Sequence, residues 1–374
     1  MKQFVFDRLV ERENICGLKE ERKRLEKLIE QKSNIVLYAP RNYGKTSLIK
    51  SIIMPDFIAR HKKSFVFFVD LMGVKDLDSI VLRLKNALEN SLEKAFPVKT
   101  KLEKLSEYVI NLKPSASFDS VTGEMRFTIE SSGRGQKKIT IEDIFQTIEK
   151  ISKDYQALIV IDEFQDISLV KEAESLFRNV FQQMKKLPII VLGSKKHLLK
   201  NIFALPNSPL ASWGRDVVVN SIDYEVYHDY IKDRFASKGL KISLEDSRYL
   251  QDLLQRVPES INLVCYEISQ NYEKIVVDQN IINETIKQLL DSRSKRFEVM
   301  ISSLSSSEEK ILIQIAKNGP VSKPQSKEFT SKLDLTPKSI KVNINKLMDQ
   351  GILDWDNNYY ICDPLLTMYL KYFR

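Results

Sequence analysis

The chain of 374 residues is 43% hydrophobic and 29% charged, which excludes a disordered or fibrous protein and suffices for two or three folded domains. A formal net charge of +8 over that length permits nucleic acid or acidic lipid as a partner and demands neither. Cys16, Cys265 and Cys362 lack metal-binding spacing and read as free thiols, and no apolar stretch reaches membrane-spanning length, so a cytoplasmic protein with no membrane partner is expected.

Residues 18–33 place Leu18, Leu25, Leu28 and Ile29 at helical spacing among Lys, Arg and Glu, an amphipathic helix. Residues 34–39 (NIVLYA) and 64–71 (SFVFFVDL) are short apolar runs and read as buried strands, with a helix over 44–60 between them. Regular leucines predict helix over most of 74–110. Alternating Ala116, Phe118 and Ser120, then Met125, Phe127 and Ile129, flank 121–124 (VTGE) and predict a hairpin, followed by a Gly/Ser/Lys loop to residue 138; this hairpin and loop carry no functional reading. After a helix at 140–153 come three further strands at 157–161, 187–192 and 216–220. Apolar strands alternating with helices indicate an α/β fold with a parallel sheet covered on both faces. The strand signal stops near residue 222, and residues 223–292 read as helical throughout, with breaks near Gly239 and Pro258.

The connection after the first strand carries the chemistry. Ala39, Pro40, Arg41, Asn42, Tyr43, Gly44, Lys45, Thr46 and Ser47 match the phosphate-binding pattern G-x-x-x-x-G-K-[ST] everywhere but at Ala39, where a small residue serves. Loop N–H groups would cradle phosphate oxygens, Lys45 would reach the β and γ phosphates of ATP, and the Thr46 hydroxyl would ligate Mg2+. The strand at 157–161 runs into Asp162 and Glu163. A carboxylate at a strand's C-terminal end lies where open α/β sheets bind ligands; Asp162 suits the metal shell and Glu163 the activation of water. Ser194, after Gly193 at the tip of the fourth strand, is either a sensor of the γ-phosphate or a strand-ending turn. Arg215, after Trp213-Gly214, is either a surface arginine or a group that reaches the γ-phosphate of its own or a neighbouring subunit, and the latter leaves open a nucleotide-dependent homo-oligomer.

Residues 308–317 form an amphipathic helix, 325–333 a second, and Thr336 with Pro337 starts a third whose buried stripe is Ile340, Ile344 and Leu347. Gly351 ends it, and two short runs flank 356–358 (DNN) as a hairpin. Three helices and a hairpin in this order describe a winged helix. Lys338, Lys341 and Asn345 point away from the stripe and suit double-stranded DNA. Asp349 shares their face and Asp354, Asp356 and Asp363 surround the wing, so a protein partner or an autoinhibitory role stands beside DNA.

These residues resemble the archaeal-type ATPases of the STAND branch of AAA+ proteins. The likeness rests on Asn14-Ile15-Cys16-Gly17 with Glu20, on residues 40–47, on Asp162-Glu163-Phe164-Gln165, on Gly193-Ser194 and on Gly214-Arg215. It implies a P-loop sheet of order 5-1-4-3-2 in a core at 1–222, a helical lid at 223–300 and a winged-helix domain at 301–374. It also implies switching driven by ATP more than fast turnover. Two features depart from the pattern. The lead-in arginine is replaced by Leu18 or Lys19. The family's Gly-x-Pro of the lid is present only as Val257-Pro258, and no arginine follows Pro258 as a second sensor, Arg256 being a weak substitute. The expected function is a nucleotide-dependent switch with Mg-dependent ATP hydrolysis and Glu163 as base; the alternative is a DNA-binding regulator or initiator using the winged helix. A small-molecule kinase fits less well, since Glu163 suits water and no acceptor pocket is evident.

Overall fold

The computed structural model describes residues 2–96, 108, 112–118, 125–131 and 138–374. The expected turn at 121–124, the loop at 132–137 and most of the helical stretch after residue 96 lie outside these residues. The strands flanking that turn, Leu112–Phe118 and Met125–Ser131, pair antiparallel as the alternation requires.

Five parallel strands form the core sheet: β1 (Ile35–Tyr38), β2 (Ser64–Asp70), β3 (Gln156–Asp162), β4 (Ile189–Gly193) and β5 (Arg215–Val218). Their order is β2-β3-β4-β1-β5, which read from the other edge is the expected 5-1-4-3-2. Successive side chains face opposite sides of a sheet. Val36, Ile159, Ile161 and Val191 join one core with Leu84, Phe145 and Phe177, from helices Leu77–Ala95, Ile141–Ile151 and Ala173–Gln183. Ile35, Leu37, Val160 and Leu192 join a second with Leu25 of helix Lys19–Glu30 and with Leu48 and Ile52. Two-sided burial is why the central strands read as unbroken apolar runs.

The helix expected at 44–60 comes in three pieces: Lys45–Leu48, a π-helical turn Ile49–Ile53, and Met54–Arg60. Pro55 lacks the N–H that a continuous α-helical ladder would take from it, which favours a rearranged turn just before it.

The lid consists of helices Tyr224–Ala236, Leu244–Leu253, Pro258–Asn271 and Gln279–Ser302. It is not helical throughout: Lys241–Ile242 and Val276–Val277 pair as a two-residue parallel ladder, where β-branched side chains favour extended backbone. The 24-residue helix Gln279–Ser302 runs on toward the winged helix, and the two units share one core in which Ile261 and Leu290 join Phe297, Leu312, Ile344 and Leu370. Helices Ser306–Asn318, Lys327–Ser331 and Pro337–Asp349 and the wing strands β6 (Leu353–Asp356) and β7 (Asn358–Ile361) follow, with Val321 making an isolated antiparallel bridge to Tyr359. Ser305 and Glu308 form a reciprocal capping box, and Thr336 caps the third helix as expected. A last helix, Pro364–Phe373, extends beyond the expected hairpin and buries Leu366 and Leu370 against the shared core. Among the described residues no helix is long and apolar enough to cross a membrane.

Candidate active site

The chain leaves β1 through Ala39, which is fully buried in the core shared with Leu37 and Leu48 and so has room only for a small side chain. Asn42 (φ 65°) and Gly44 (φ 76°) then take left-handed backbone that folds the loop over the start of the helix at Lys45. A Cβ on Gly44 would meet nothing within 4 Å, so glycine is favoured there by conformation rather than space. The unpaired N–H groups of such a loop and helix start form an anion cradle.

The end of β3 supplies the carboxylates. Lys45 Nζ lies 3.0 Å from Glu163 Oε1 and 3.9 Å from Asp162 Oδ1. Thr46 Oγ1 donates to Asp162 Oδ2 at 3.1 Å. Since β4 lies between β1 and β3, its tip falls between the two halves of the site, and Ser194 Oγ donates to Glu163 Oε2 at 2.8 Å. Glu163 itself holds a left-handed backbone (φ 49°), a strain of on the order of 1–3 kcal/mol of the kind concentrated at functional sites. Burial pushes the Asp162 carboxyl above its ordinary range, against the pull of Lys45. Burial also acts on Glu163, but Lys45, Gln165 and Ser194 more than offset it and hold that carboxyl below its ordinary range.

Thr46 and Asp162 converge as hard oxygen donors, the chemistry Mg2+ prefers. Among the described residues no group of three or more His, Cys, Asp or Glu side chains is placed to hold a metal ion. An ion here would therefore complete its shell with phosphate oxygens and water, as Mg2+ commonly does. The cleft around Lys45 has a volume of about 840 Å³, room for a nucleoside triphosphate, and is walled by the loop, by residues 5–10 and by Pro258, Glu259 and Asn262 of the lid. The N-terminal segment is strapped across it. Val10 N donates to Ser47 Oγ at 3.1 Å, Asn262 Nδ2 donates to Val5 O at 2.7 Å, and the buried Arg234 donates to Gln3 O, Glu13 O and Asn14 Oδ1.

Of the residues singled out in the sequence, the structure brings Lys45, Thr46, Asp162, Glu163 and Ser194 together. Other side chains of the loop point elsewhere. Ser47 holds the strap, Tyr43 turns toward Ser221 and Arg256, and the Arg41 guanidinium comes against the winged helix, where a Cβ on Gly351 would lie 2.6 Å from it. Arg256 packs on the Tyr224 ring and donates to Ile222 O, outside the cleft. Arg215 requires a correction. It stands in register with Ile35, whereas the phosphate loop follows Tyr38, so it occupies the opposite end of the parallel sheet. Within one chain it does not approach Lys45, so the reading of Arg215 as reaching its own subunit's γ-phosphate fails, and the surface arginine and the contact with a neighbouring subunit's nucleotide stand. Lys338, Lys341 and Asn345 are exposed on helix Pro337–Asp349.

Several functional residues escaped sequence reasoning. Gln165 lies within the Asp162-Glu163-Phe164-Gln165 run, but its contact with Glu163 is not read from it. Asp166 and Arg234 meet partners distant in the chain, Gly73 and residues 3–14, and carry no local signal. The same holds for the contacts that dock the winged helix beside Ser194: Lys195 Nζ to Asp349 O at 2.8 Å, His197 Nδ1 to Asp354 Oδ1 at 3.1 Å, and Lys200 over the Trp355 ring at 5.1 Å.

No curated protein matches the chain. The AAA domain family matches residues 27–202, and the probable winged helix domain family matches residues 295–372. Among solved structures, the Walker-type ATPase of Pyrococcus abyssi is similar over 98% of this chain and 99% of that one, with a TM-score of 0.67 at 17% identity. Cdc6p from Pyrobaculum aerophilum is similar over 98% and 97% of the two chains, with a TM-score of 0.47 at 12% identity. The first of these likenesses speaks for the fold of the whole chain. The chain thus carries a P-loop AAA domain, matched over residues 27–202, around the Lys45–Glu163 pair, and a C-terminal winged-helix domain, matched over residues 295–372, behind it.

Proposed function

We propose that the protein is a nucleotide-driven switch that hydrolyses ATP in a Mg-dependent reaction. The observation that carries this reading is the convergence of Lys45, Thr46, Asp162, Glu163 and Ser194 in one cleft between core and lid. Lys45 and the loop N–H groups bind the β and γ phosphates, and this releases Glu163 from its ion pair with Lys45. Glu163 accepts a proton from water as the water oxygen bonds to the γ-phosphorus. The bond from that phosphorus to the β–γ bridging oxygen breaks, and ADP departs with the electron pair. Thr46 and Asp162 would hold Mg2+, which supplies neutralising charge on the phosphate oxygens. Lid and winged helix share one core and touch the ATPase core through the loop and the Ser194 segment, so occupancy of the cleft biases their position.

The test is ATP binding and hydrolysis by wild type, Lys45→Ala and Glu163→Gln, with and without double-stranded DNA. The reading requires that Lys45→Ala lose binding and that Glu163→Gln bind ATP with turnover reduced by about 100-fold or more. Full binding by Lys45→Ala, or wild-type turnover by Glu163→Gln, overturns it.

One observation favours a second reading, a DNA-binding regulator. Exposed Lys341 and Asn345 border a groove of about 460 Å³ that Lys323, Trp355 and Tyr359 also line. Basic and aromatic groups along a winged-helix face suit phosphate and base contacts. This reading requires salt-sensitive DNA binding that survives Lys45→Ala and is lost when Lys338 and Lys341 are both changed to Glu. Binding that is absent or indifferent to salt rejects it.

A further inference from the structure

Glu163 has more donors than an attacking water would leave it. Its Oε2 accepts from Ser194 Oγ at 2.8 Å and, at 2.6 Å, from the side-chain amide of Gln165, two residues further along the chain. Among the described residues, its Oε1 is met only by Lys45, at 3.0 Å. We propose that Gln165 is the positioning residue of the hydrolytic base: its amide holds Glu163 Oε2, so that Oε1 alone is presented to water. This rests on the reading of Glu163 as base.

The geometry of the amide supports it. Gln165 lies in the 3-10 turn Phe164–Leu169 and is 1% exposed. Its Nε2 also donates to Asp166 Oδ1 at 3.1 Å, and two carboxylates around one nitrogen fix which way the amide faces. The far oxygen of Asp166 accepts from Gly73 N at 2.7 Å, in the loop that follows β2. The clamp is therefore tied to three neighbouring strand ends: β2 through Gly73, β3 through its own turn, and β4 through Ser194.

The other end of the amide is held by space rather than by bonding. Gln165 Oε1 is buried and has no hydrogen-bond partner among the described residues. It rests against Gly193, where any Cβ would overlap it. Gly193 does not take left-handed backbone, so glycine is needed there to admit the amide and not to make a turn. The two short motifs of the sequence, Glu163-Phe164-Gln165 and Gly193-Ser194, thereby act as one unit. Glycine seats the glutamine, and glutamine and serine together hold the glutamate. A side chain kept in place solely for packing would not leave a carbonyl oxygen unpaired in the interior, because that is a cost an apolar residue of the same size avoids.

The distinction matters for the chemistry. A hydroxyl on a short side chain can rotate away, so Ser194 by itself restrains Glu163 weakly. An amide fixed by two carboxylates cannot. With Oε2 held, the departure of Lys45 to the phosphates exposes a single oxygen in one orientation. Displacing a reacting group by about 1 Å can cost on the order of 100-fold in rate.

The experiment is single-turnover and steady-state ATP hydrolysis by the full chain carrying Gln165→Met, which keeps the volume and removes the amide. The expected result is a kcat lowered by about 10- to 100-fold, KM within about two-fold, and a melting temperature not below that of wild type. In a Glu163→Gln background, Gln165→Met is expected to cause no further loss, because both changes act on one base. Wild-type kcat in Gln165→Met with Glu163→Gln inactive overturns the positioning role and leaves the base standing. An equal loss in both backgrounds also overturns it, since Gln165 then acts elsewhere. Wild-type turnover by Glu163→Gln removes the base itself and this role with it. Should Gln165→Met fail to fold, Gly193→Ala displaces the amide from the opposite side and is held to the same kcat loss at unchanged KM. An unaltered kcat in that variant likewise overturns the proposal.

Discussion

Lys45 is 8% exposed, and in this structure its ammonium group is the cation that faces both Asp162 and Glu163. Removing one partner of a buried ion pair costs more than the pair itself is worth, because the remaining charge loses both solvent and counter-ion. Lys45→Ala should therefore do more than abolish phosphate binding. It leaves two carboxylates side by side, and the Asp162 carboxyl, already pushed up by burial, takes a proton more readily. The expected loss is of the size found when one partner of a buried ion pair is removed, roughly 3–5 kcal/mol. Chemical denaturation at pH 7 without nucleotide measures it. The added substitution Glu163→Gln should recover most of the stability, a non-additivity that a generally disrupted fold would not show. If Lys45→Ala unfolds at the wild-type midpoint, the pair is neutral for stability and Lys45 serves the ligand alone.

At the scale of elements, the N-terminal strap joins the lid to the phosphate loop. Arg234 is 5% exposed on helix Tyr224–Ala236, stacks over the Tyr230 ring and donates to two strap carbonyls and to Asn14. Arg234→Leu keeps an apolar stem but strands those acceptors, at a cost of about 2–4 kcal/mol. The strap should loosen first, so trypsin should cut after Arg8 or Arg12 well before the core is attacked. Cleavage at the wild-type rate would mean that Asn262 and Ser47 hold the strap without Arg234. This element also shows what sequence could reveal. The sheet was legible because strands buried on both faces have to be unbroken apolar runs, and the phosphate loop because its motif is contiguous. The strap was not, since Arg234 meets residues more than 200 positions away. Whether Arg215 could reach its own subunit's site was not legible for a related reason: a motif names a residue near a strand, and only the register with β1 decides which end of the sheet it occupies. The helix Pro364–Phe373 was missed although Asp363 and Pro364 carry the same start signal as Thr336 and Pro337, because Asp363 was read as part of the acidic surround of the wing.

For the whole molecule, the question is what moves when the cleft fills. Lid and winged helix share a core, whereas the winged helix meets the ATPase core through a few polar contacts: Arg41 against Gly351, Lys195 to the Asp349 carbonyl, His197 to Asp354, and Lys200 to Trp355 and Asp356. The Lys200–Asp356 pair is about 40% exposed on each side and is worth at most about 1 kcal/mol. The better-buried His197–Asp354 contact is the stronger anchor. A dock of a few kcal/mol lies within reach of one ligand's preference between two states. Two of its attachment points, Arg41 and Lys195, also line the cleft. Cys362 reports on this dock. It lies beside Arg41 and Tyr43, and its thiol is pushed up to about 12, chiefly by burial and then by Asp354, with Arg41 pulling the other way. At pH 8 roughly one thiol in ten thousand is ionised, so alkylation in the docked form should be slow. Undocking removes burial and Asp354 together and returns the thiol toward the ordinary pKa of about 8.5. Peptide mapping after iodoacetamide treatment should then show Cys362 labelled at least 10-fold faster with a non-hydrolysable ATP analogue, while Cys265, buried in the shared core, stays protected. His197→Ala should raise the rate without nucleotide, and Lys45→Ala should remove the response to the analogue. A Cys362 rate that ignores nucleotide in wild type yet rises in His197→Ala would mean that the dock is real but not coupled to the cleft, and the protein would then not switch by moving its winged helix.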